Sequence, residues 1–401
     1  MKVCMHILNP ARVSGRAIRA ATALAIADIE VTLIDMEHSS LGKASQNPGT
    51  FILIAREEPE IKNLRFQHIH LPGRFIRYYE PVSMVPWLLF KVLRVFLAVF
   101  TVLRTSADIY YACDLAALPA CYIAAVLRRK PLIFETYDTP LVLPHIARKR
   151  LLHTVSAFLL RRMVARCNAV LVPSPPLVKE MQRLYGGPTP LLLRSTPLYQ
   201  PPVISNRLRQ SLNLGEEVRI ALYQGKMRGD RGLDVLVRAA RFIDPNIVIV
   251  LMGRGESQPA LASLIEQEGV EERIKIIPPA PYEDLLSWTA SADLGLIIYR
   301  AQSANVPMML PNKLFEYMMA GVPVLASPLV SVVEIVERYD VGAIIHSLDP
   351  AEVGAAINAM LADREALARM RSHALAACER ELRWDVESQH LVQLCQKLAG
   401  G

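Results

Sequence analysis

The sequence has no CxxC pair, no histidine at zinc-like spacing from a cysteine, no repeat and no low-complexity tract. Its six cysteines (Cys4, Cys113, Cys121, Cys167, Cys378 and Cys395) are scattered, which argues against a disulfide framework or a zinc module and predicts reduced, mostly packed thiols in a cytoplasmic protein. The opening residues, MKVCMHILN, lack a charged stretch followed by a long apolar one, so no signal peptide is expected. The dinucleotide fingerprint GxGxxG is missing after the first strand-like run, where only Ser14-Gly15 stands, and this argues against a nicotinamide enzyme. No nucleic-acid-binding module and no aromatic-basic interleaving is present, so nucleic acid is not an expected partner.

What is present is an ordinary globular composition in 401 residues, 52% hydrophobic and 21% charged, long enough for two cores. Charge is distributed unevenly. Residues 1–200 hold 25 Lys/Arg against 13 Asp/Glu, whereas residues 201–401 hold 20 against 25. A basic first half points towards an anionic surface, or is a solvated face without a partner. Within it, Val82–Leu103 is almost wholly apolar, but Lys91 and Arg94 interrupt it, and its longest uncharged run is too short for a membrane span. It reads as a helix lying in a membrane interface with its cations near lipid phosphates, or as a core helix with a narrow wet edge. Basic clusters at Arg128-Arg129-Lys130, Arg148-Lys149-Arg150 and Arg161-Arg162 favour the membrane-facing alternative.

In chain order, the hydrophobic pattern predicts a strand at 3–8, a helix at 12–27 and strands at 30–35, 51–55 and 66–70. Arg12, Arg16 and Arg19 fall on one side of the first helix and read as a solvated face rather than a phosphate clamp. Strand and helix alternate again from Asp108, with polar residues at the strand ends: Asp114, then Glu135, Tyr137 and Asp138. Open parallel sheets bind ligands outside such carboxyl ends, although each residue alone also fits a cap or turn. The proline-rich TPLYQPP at 196–202 is the expected linker.

A second α/β series follows. Strand 219–223 leads into QGKMRGDRG, where Lys226, Arg228 and Arg231 lie among three glycines, a composition suited to a diphosphate or to a merely solvated loop. Strand 247–252 ends in Gly253-Arg254-Gly255-Glu256. The stretch MLPNKLFEYMMAGVPVLAS, 309–327, then predicts a short helix entered through Pro311-Asn312, carrying Lys313, Glu316 and Tyr317, and stopped by Gly321 and Pro323 before a buried strand.

These segments together resemble the retaining nucleotide-sugar glycosyltransferases of the GT-B type, family four. GKMRGDRG is similar to the family's G-(R/K)-x-x-x-x-(K/R)-G loop, VLMGRGE to its strand and glycine-rich turn, and LPNKLFEYMMAGVPVLAS to its variant PNK-x-x-E-Y-M-x-x-G-x-P-V. RWDVESQHLVQLCQKL resembles the family's closing helix, which begins at Trp384. NPARVSGRAIRAATAL and FETYD resemble a subgroup's first-half motifs more loosely. The resemblance implies an α/β fold with two Rossmann-like domains facing a cleft and a C-terminal helix crossing back to the first domain. It implies an acceptor-binding domain at 1–196, a donor-binding domain at 203–380 and the returning helix at 381–401.

By the same resemblance, Lys226 and Arg231 hold the donor diphosphate and Glu316 the ribose, all three counted as catalytic. Gly225, Gly253, Asn312, Lys313 and Gly15 complete the donor site, and Asp114, Tyr137 and Asp138 lie on the acceptor side. Where many members have the first glutamate of E-x7-E this chain has Met308, Ala11 replaces an aspartate, and Tyr137 replaces a histidine. The implied chemistry is sugar transfer with retention, without cofactor or metal, from a UDP- or GDP-sugar to a lipid-linked or glycan acceptor in cell-surface polysaccharide synthesis. No DxD-type carboxylate pair demands a metal. The place is the cytoplasmic face of the membrane, with peripheral contact to anionic lipid. Two alternatives stay open: a non-transferring enzyme of the same fold (an epimerase or phosphorylase), and an inactive partner subunit, which Met308 and Tyr137 would suit.

Overall fold

The computed structural model describes residues 1–400 apart from 12–13, 39–60, 72–83, 140–149 and 301–304. The chain divides into two compact units, Met1–Arg194 with Glu387–Gly401, and Ser195–Val386. Each is built on one parallel sheet.

In the first unit the strands are β1 (Lys2–His6), β2 (Glu30–His38), β3 (Leu64–Leu71), β4 (Ile109–Ala112), β5 (Leu132–Glu135), β6 (Ala169–Val172) and β7 (Leu191–Leu192), arranged β3-β2-β1-β4-β5-β6-β7. The second sheet holds β8 (Arg219–Lys226), β9 (Ile247–Arg254), β10 (Ile274–Ile277), β11 (Leu294–Ile297), β12 (Val324–Ala326) and β13 (Gly342–Ile344), in the order β10-β9-β8-β11-β12-β13. Every residue of β4, β5, β6 and β11 is buried, as strands of parallel sheets covered on both faces require. In each sheet the order reverses beside the first strand, at β1/β4 and at β8/β11. These switch points open crevices at the carboxyl ends of the strands.

Helices α1 (Gly15–Ile26), α2 (Met84–Arg104), α3 (Leu118–Arg128), α4 (Arg150–Arg166) and α5 (Pro175–Tyr185) accompany the first sheet. The second has α6 (Arg207–Ser211), α7 (Leu233–Ala239), α8 (Gln258–Glu268), α9 (Leu285–Thr289), α10 (Asn312–Met319), α11 (Val330–Tyr339), α12 (Pro350–Ala362) and α13 (Arg364–Arg380). The last helix, α14 (Trp384–Gly400), starts in the second unit, where Trp384 N–H donates to Pro197 O at 2.8 Å. From Glu387 it belongs to the first unit, where the Glu387 carboxylate takes both the Arg194 N–H (3.0 Å) and its guanidinium (2.8 Å).

Several sequence expectations need correction. β8 runs on through Gly225 and Lys226, and β9 through Gly253 and Arg254, because the two strands stay paired to Lys226↔Arg254. The glycine-punctuated loop therefore starts only at Met227 and contains one 3-10 turn, Gly229–Arg231. Arg16 and Arg19 are buried rather than solvated. So is Arg94, whose guanidinium donates inward to Leu8 O at 2.6 Å and contacts Met36 Sδ at 3.2 Å, so it is not a cation for lipid phosphates. The expected strand at 51–55, Arg12, the segment 82–83 and the pair Arg148-Lys149 lie outside the described residues, as does the side chain of Lys91. All six cysteines are buried and unpaired, and burial raises the thiols of Cys4, Cys167, Cys378 and Cys395 to about 12.

Candidate active site

The second unit gathers most of the predicted donor residues at the carboxyl ends of β8 and β9. Gly225 and Gly253 lie directly opposite one another. A Cβ on Gly253 would fall 1.9 Å from Gly225 O, so the strands meet there only because a side chain is missing. Gly225 takes φ +126°, a region that glycine alone occupies comfortably. Lys226 follows with an exposed side chain.

Helix α10 brings the next group. Its N-cap, Pro311, is extended, Asn312 is its exposed first residue, and Lys313 comes second. Tyr317 anchors the helix: its hydroxyl donates to Leu222 O at 2.8 Å and accepts from Gln224 N–H at 3.0 Å. One residue earlier, the half-buried Glu316 accepts from Gln224 Nε2 at 2.6 Å, while Thr289 Oγ1 donates to the Gln224 amide oxygen at 2.8 Å. Glu316 is thus held in a fixed orientation by a buried amide that is itself held by α9.

Lys313 turns inward. Its Nζ sits 3.6 Å from the centroid of the Tyr223 ring and 5.8 Å from that of Tyr299, against Gly225. Arg231 stacks on the Tyr299 ring, 4.5 Å from its centroid, with its Nε 3.4 Å from Asp230. Burial, and secondarily the Arg231 charge, push the Lys313 ammonium well below the usual lysine range, against the pull of Glu316 and Asp230. Burial raises the Tyr299 phenol to about 12, so neither ring carries charge at neutral pH. One fixed cation, a buried lysine, two neutral rings and an open glycine backbone make a set of groups suited to an oxyanion.

The remaining predicted residues lie in the first unit. Gly15 opens α1 and is buried. Asp114 acts as a turn cap, its Oδ1 accepting from Ala117 N–H at 2.7 Å, and burial raises its carboxyl above the usual range. Asp138 is exposed, and its carbonyl accepts from Thr136 Oγ1 at 2.8 Å. Tyr137 stands under Arg16, 5.2 Å from guanidinium to ring centroid, with its hydroxyl unpartnered among the described residues.

Sequence reasoning read Arg16 as solvated and Glu135 as a strand-end residue, and missed that they pair and that other residues organise both places. Arg16 forms a buried ion pair with Glu135 and also donates to Leu193 O, and Tyr111 donates to the same carboxylate at 2.5 Å. Tyr111, Gln224, Thr289, Tyr223 and Tyr299 were unmarked. The available signals were a glutamine and a glutamate on otherwise aliphatic strands, each too polar to be buried without a partner. Among the described residues, Asp35, Glu37 and His68 have metal-like spacing. Asp35 is already engaged there, by His68 Nδ1 at 2.6 Å and by Ala11 N–H at 2.7 Å.

The family model described as glycosyl transferases group 1 matches residues 205–376, and that of glycosyltransferase family 4 matches 16–191. A D-inositol 3-phosphate glycosyltransferase of Xylanimonas cellulosilytica is 26% identical over 238 residues, covering 56% of this chain and 55% of that protein. The putative colanic acid biosynthesis glycosyl transferase WcaI of Escherichia coli K12 is 26% identical over 115 residues, 28% of each chain. The chain therefore spans about half the length, or less, of these curated relatives. The crystal structure of Anabaena Alr3699/HepE in complex with UDP and glucose superposes with a TM-score of 0.74 over 99% of this chain and 100% of that one, at 17% identity.

Proposed function

Matched along both halves, the chain belongs to the group 1, family 4 glycosyltransferases, and we propose that it moves a sugar from a UDP- or GDP-linked donor to a lipid-linked or glycan acceptor with retention of configuration. The observation that carries this reading is the Lys313–Arg231 pair beside the open Gly225 backbone, with Glu316 held by Gln224 one helical turn away. Breaking a sugar–phosphate bond builds negative charge on the departing diphosphate. Lys226, Arg231 and Lys313 are the groups that would bind it, aided by the backbone at Gly225 and Gly253 and by Asn312. Preorganised donors of this kind lower the barrier because they need no rearrangement as charge develops. Glu316, oriented by Gln224, would accept from the ribose hydroxyls. The departing phosphate would take the acceptor's proton, with no metal and no strong protein base. On the acceptor side, Asp114, Tyr137 and Asp138 sit in the first unit.

That unit also supports contact with the inner face of a membrane. No described helix is long and apolar enough to cross one. Instead α2 presents Val92, Phe96 and Phe100 to solvent, α3 presents Val126 and Leu127, and α4 presents Phe158 and Leu159. α2 packs on α3 and α3 on α4, so these side chains lie on neighbouring helices. Exposed cations border them: Arg128 at the end of α3 with Arg129 and Lys130 after it, and Arg161 and Arg162 on α4. Aromatic side chains with flanking cations suit an anionic lipid interface, where a lipid-linked acceptor of a cell-surface glycan would be met.

A panel of UDP- and GDP-sugars screened by thermal shift, followed by transfer of labelled sugar into a membrane extract, tests the reading. Label entering a lipid or glycan product is expected. Release of free sugar alone, sugar phosphate or an epimerised nucleotide sugar would replace it with a non-transferring enzyme. Binding without any turnover would indicate a partner subunit.

A further inference from the structure

Lys313 is 8% exposed, and its Nζ has no hydrogen-bond partner among the described residues. Tyr223 of β8 offers a ring face at 3.6 Å, Tyr299 after β11 another at 5.8 Å, and Gly225 only backbone. The turn after β8 contributes Arg231 and Asp230, which contact each other at 3.4 Å, and α10 itself contributes Glu316, whose Oε2 is taken by Gln224. Ring faces attract an ammonium by about 1–2 kcal/mol, yet they do not replace the three hydrogen bonds an ammonium makes in water. A second cation stands close by. The proton that can leave this cluster is the one on lysine, since arginines keep theirs.

We propose that Lys313 is a neutral amine before the donor binds and takes up one proton when a nucleotide diphosphate settles against Gly225, so that donor capture is coupled to proton uptake. The inference rests on the donor-site reading of this group. The diphosphate brings the two things the amine lacks, acceptor oxygens within reach and negative charge to offset Arg231. The proton comes from solvent on binding and returns to it when the nucleotide diphosphate leaves, so nothing is consumed. Burial and the Arg231 charge, which hold the free ammonium well below the ordinary lysine range, agree with this direction. Above the free protein's lysine pKa, donor affinity then falls up to about tenfold per pH unit.

The test is calorimetric titration of the full chain with UDP at about pH 8, where a terminal phosphate with a second pKa near about 6 is already fully ionised and contributes no proton. Run in Tris and in Hepes, whose ionisation enthalpies differ, the wild type should show a heat difference corresponding to uptake approaching one proton per UDP. Lys313→Arg should still bind UDP but with the same heat in both buffers. UDP binding by the wild type with no buffer dependence would overturn the inference and leave the donor site standing. An unchanged proton uptake in Lys313→Arg or Lys313→Gln would also overturn it, by assigning the proton elsewhere. If neither UDP nor GDP gives any binding heat, the donor-site reading itself falls, and this inference with it.

Discussion

Gln224 and Glu316 are joined by a 2.6 Å hydrogen bond, amide to carboxylate, between the end of β8 and the middle of α10. The same glutamine receives Thr289 through its amide oxygen and gives its backbone N–H to Tyr317, so one buried residue ties together a strand and two helices. Glu316 can then meet a ligand hydroxyl without first losing side-chain freedom, the condition under which a hydrogen bond contributes most to binding. Replacing Glu316 by Ala should lower transfer by about a hundredfold or more, in line with the ~3 kcal/mol that one preorganised contact supplies. Gln224→Ala should raise the donor KM severalfold while kcat changes less. Steady-state kinetics with the donor found by screening reads both, and wild-type turnover by Glu316→Ala would remove the residue from the site.

Arg231 differs from Lys226 in how it is held. It is mostly buried, stacked on Tyr299 and braced by Asp230, whereas Lys226 is exposed at the strand end. A rigid cation stabilises developing charge better than one that must be ordered at the moment of reaction. Arg231→Ala is therefore expected to cost about a hundredfold in kcat/KM and Lys226→Ala about tenfold or less. Equal losses in the two variants would contradict the difference in preorganisation.

The first unit contains a buried ion pair whose partners are 119 residues apart in sequence, Arg16 on α1 and Glu135 at the end of β5. Removing one partner leaves an uncompensated charge in the core, a change that costs about 3–5 kcal/mol, whereas replacing both with apolar residues of similar size is often neutral. Arg16→Met should accordingly lower the melting temperature markedly, and Arg16→Met with Glu135→Leu should recover much of it. Differential scanning calorimetry decides the matter. A double variant as unstable as the single one would mean that the Tyr111 and Leu193 contacts matter more than the charges.

These pairs mark where the sequence was legible and where it was not. Alternating aliphatic runs and helical periods located most of the described strands, although β2 and β8 run on past their expected ends and the short β7 and β13 were not expected; the Pro-Asn entry and Gly exit bounded α10 correctly, because these signals are local. The donor motif also placed Lys313 and Glu316 on that helix. What decides how those residues act is not local. Arg16 reads as solvated from its own helix, since only a carboxylate brought in by β5 makes its burial tolerable. Arg94 looks like the wet edge of α2 until the carbonyl of Leu8 is beside it. Gln224 has no special neighbours in the chain, and its meaning appears only when α9 and α10 converge on it.

The three-helix face of the first unit predicts membrane binding that depends on both apolar and basic side chains. Phe96 is 65% exposed and Phe158 57%. Phe158 is covered on one side by the Arg162 guanidinium, 5.1 Å from its centroid, a pairing that keeps a cation at the depth of the ring. Burying one such ring in lipid is worth about 1.5–3 kcal/mol. Phe96→Ser and Phe158→Ser should each weaken flotation with anionic vesicles by roughly tenfold or more, leaving the melting temperature nearly unchanged. Raising salt should weaken the wild type as well, since each basic residue near the surface adds about 1 kcal/mol that ions screen. Salt-insensitive flotation, or none, would contradict the assignment of this face.

His6, at the end of β1, makes the first unit sensitive to acid. Its ring is fully buried, its Nδ1–H donates to Ile34 O at 3.0 Å, and its Nε2 has no partner among the described residues. Burial, with a smaller contribution from the Arg94 charge and against the pull of the Ile34 bond, lowers its pKa from 6.5 to about 4. The folded value lies below the unfolded one, so on acidification the unfolded chain binds the proton first. Stability is therefore intact above about pH 6.5 and lost progressively as pH falls towards about 4, by up to roughly 3 kcal/mol, after which both states are protonated and this source of loss ends. Hydrogen exchange of the β1 and β2 amides should show protection falling across that window. His6→Asn, which keeps an N–H for Ile34 O and cannot titrate, should flatten the dependence even if it lowers protection overall. An unchanged acid slope in that variant would place the sensitivity with other buried groups, of which Asp35 is a poor candidate: burial raises its carboxyl pKa, so protonation on acidification favours the folded state.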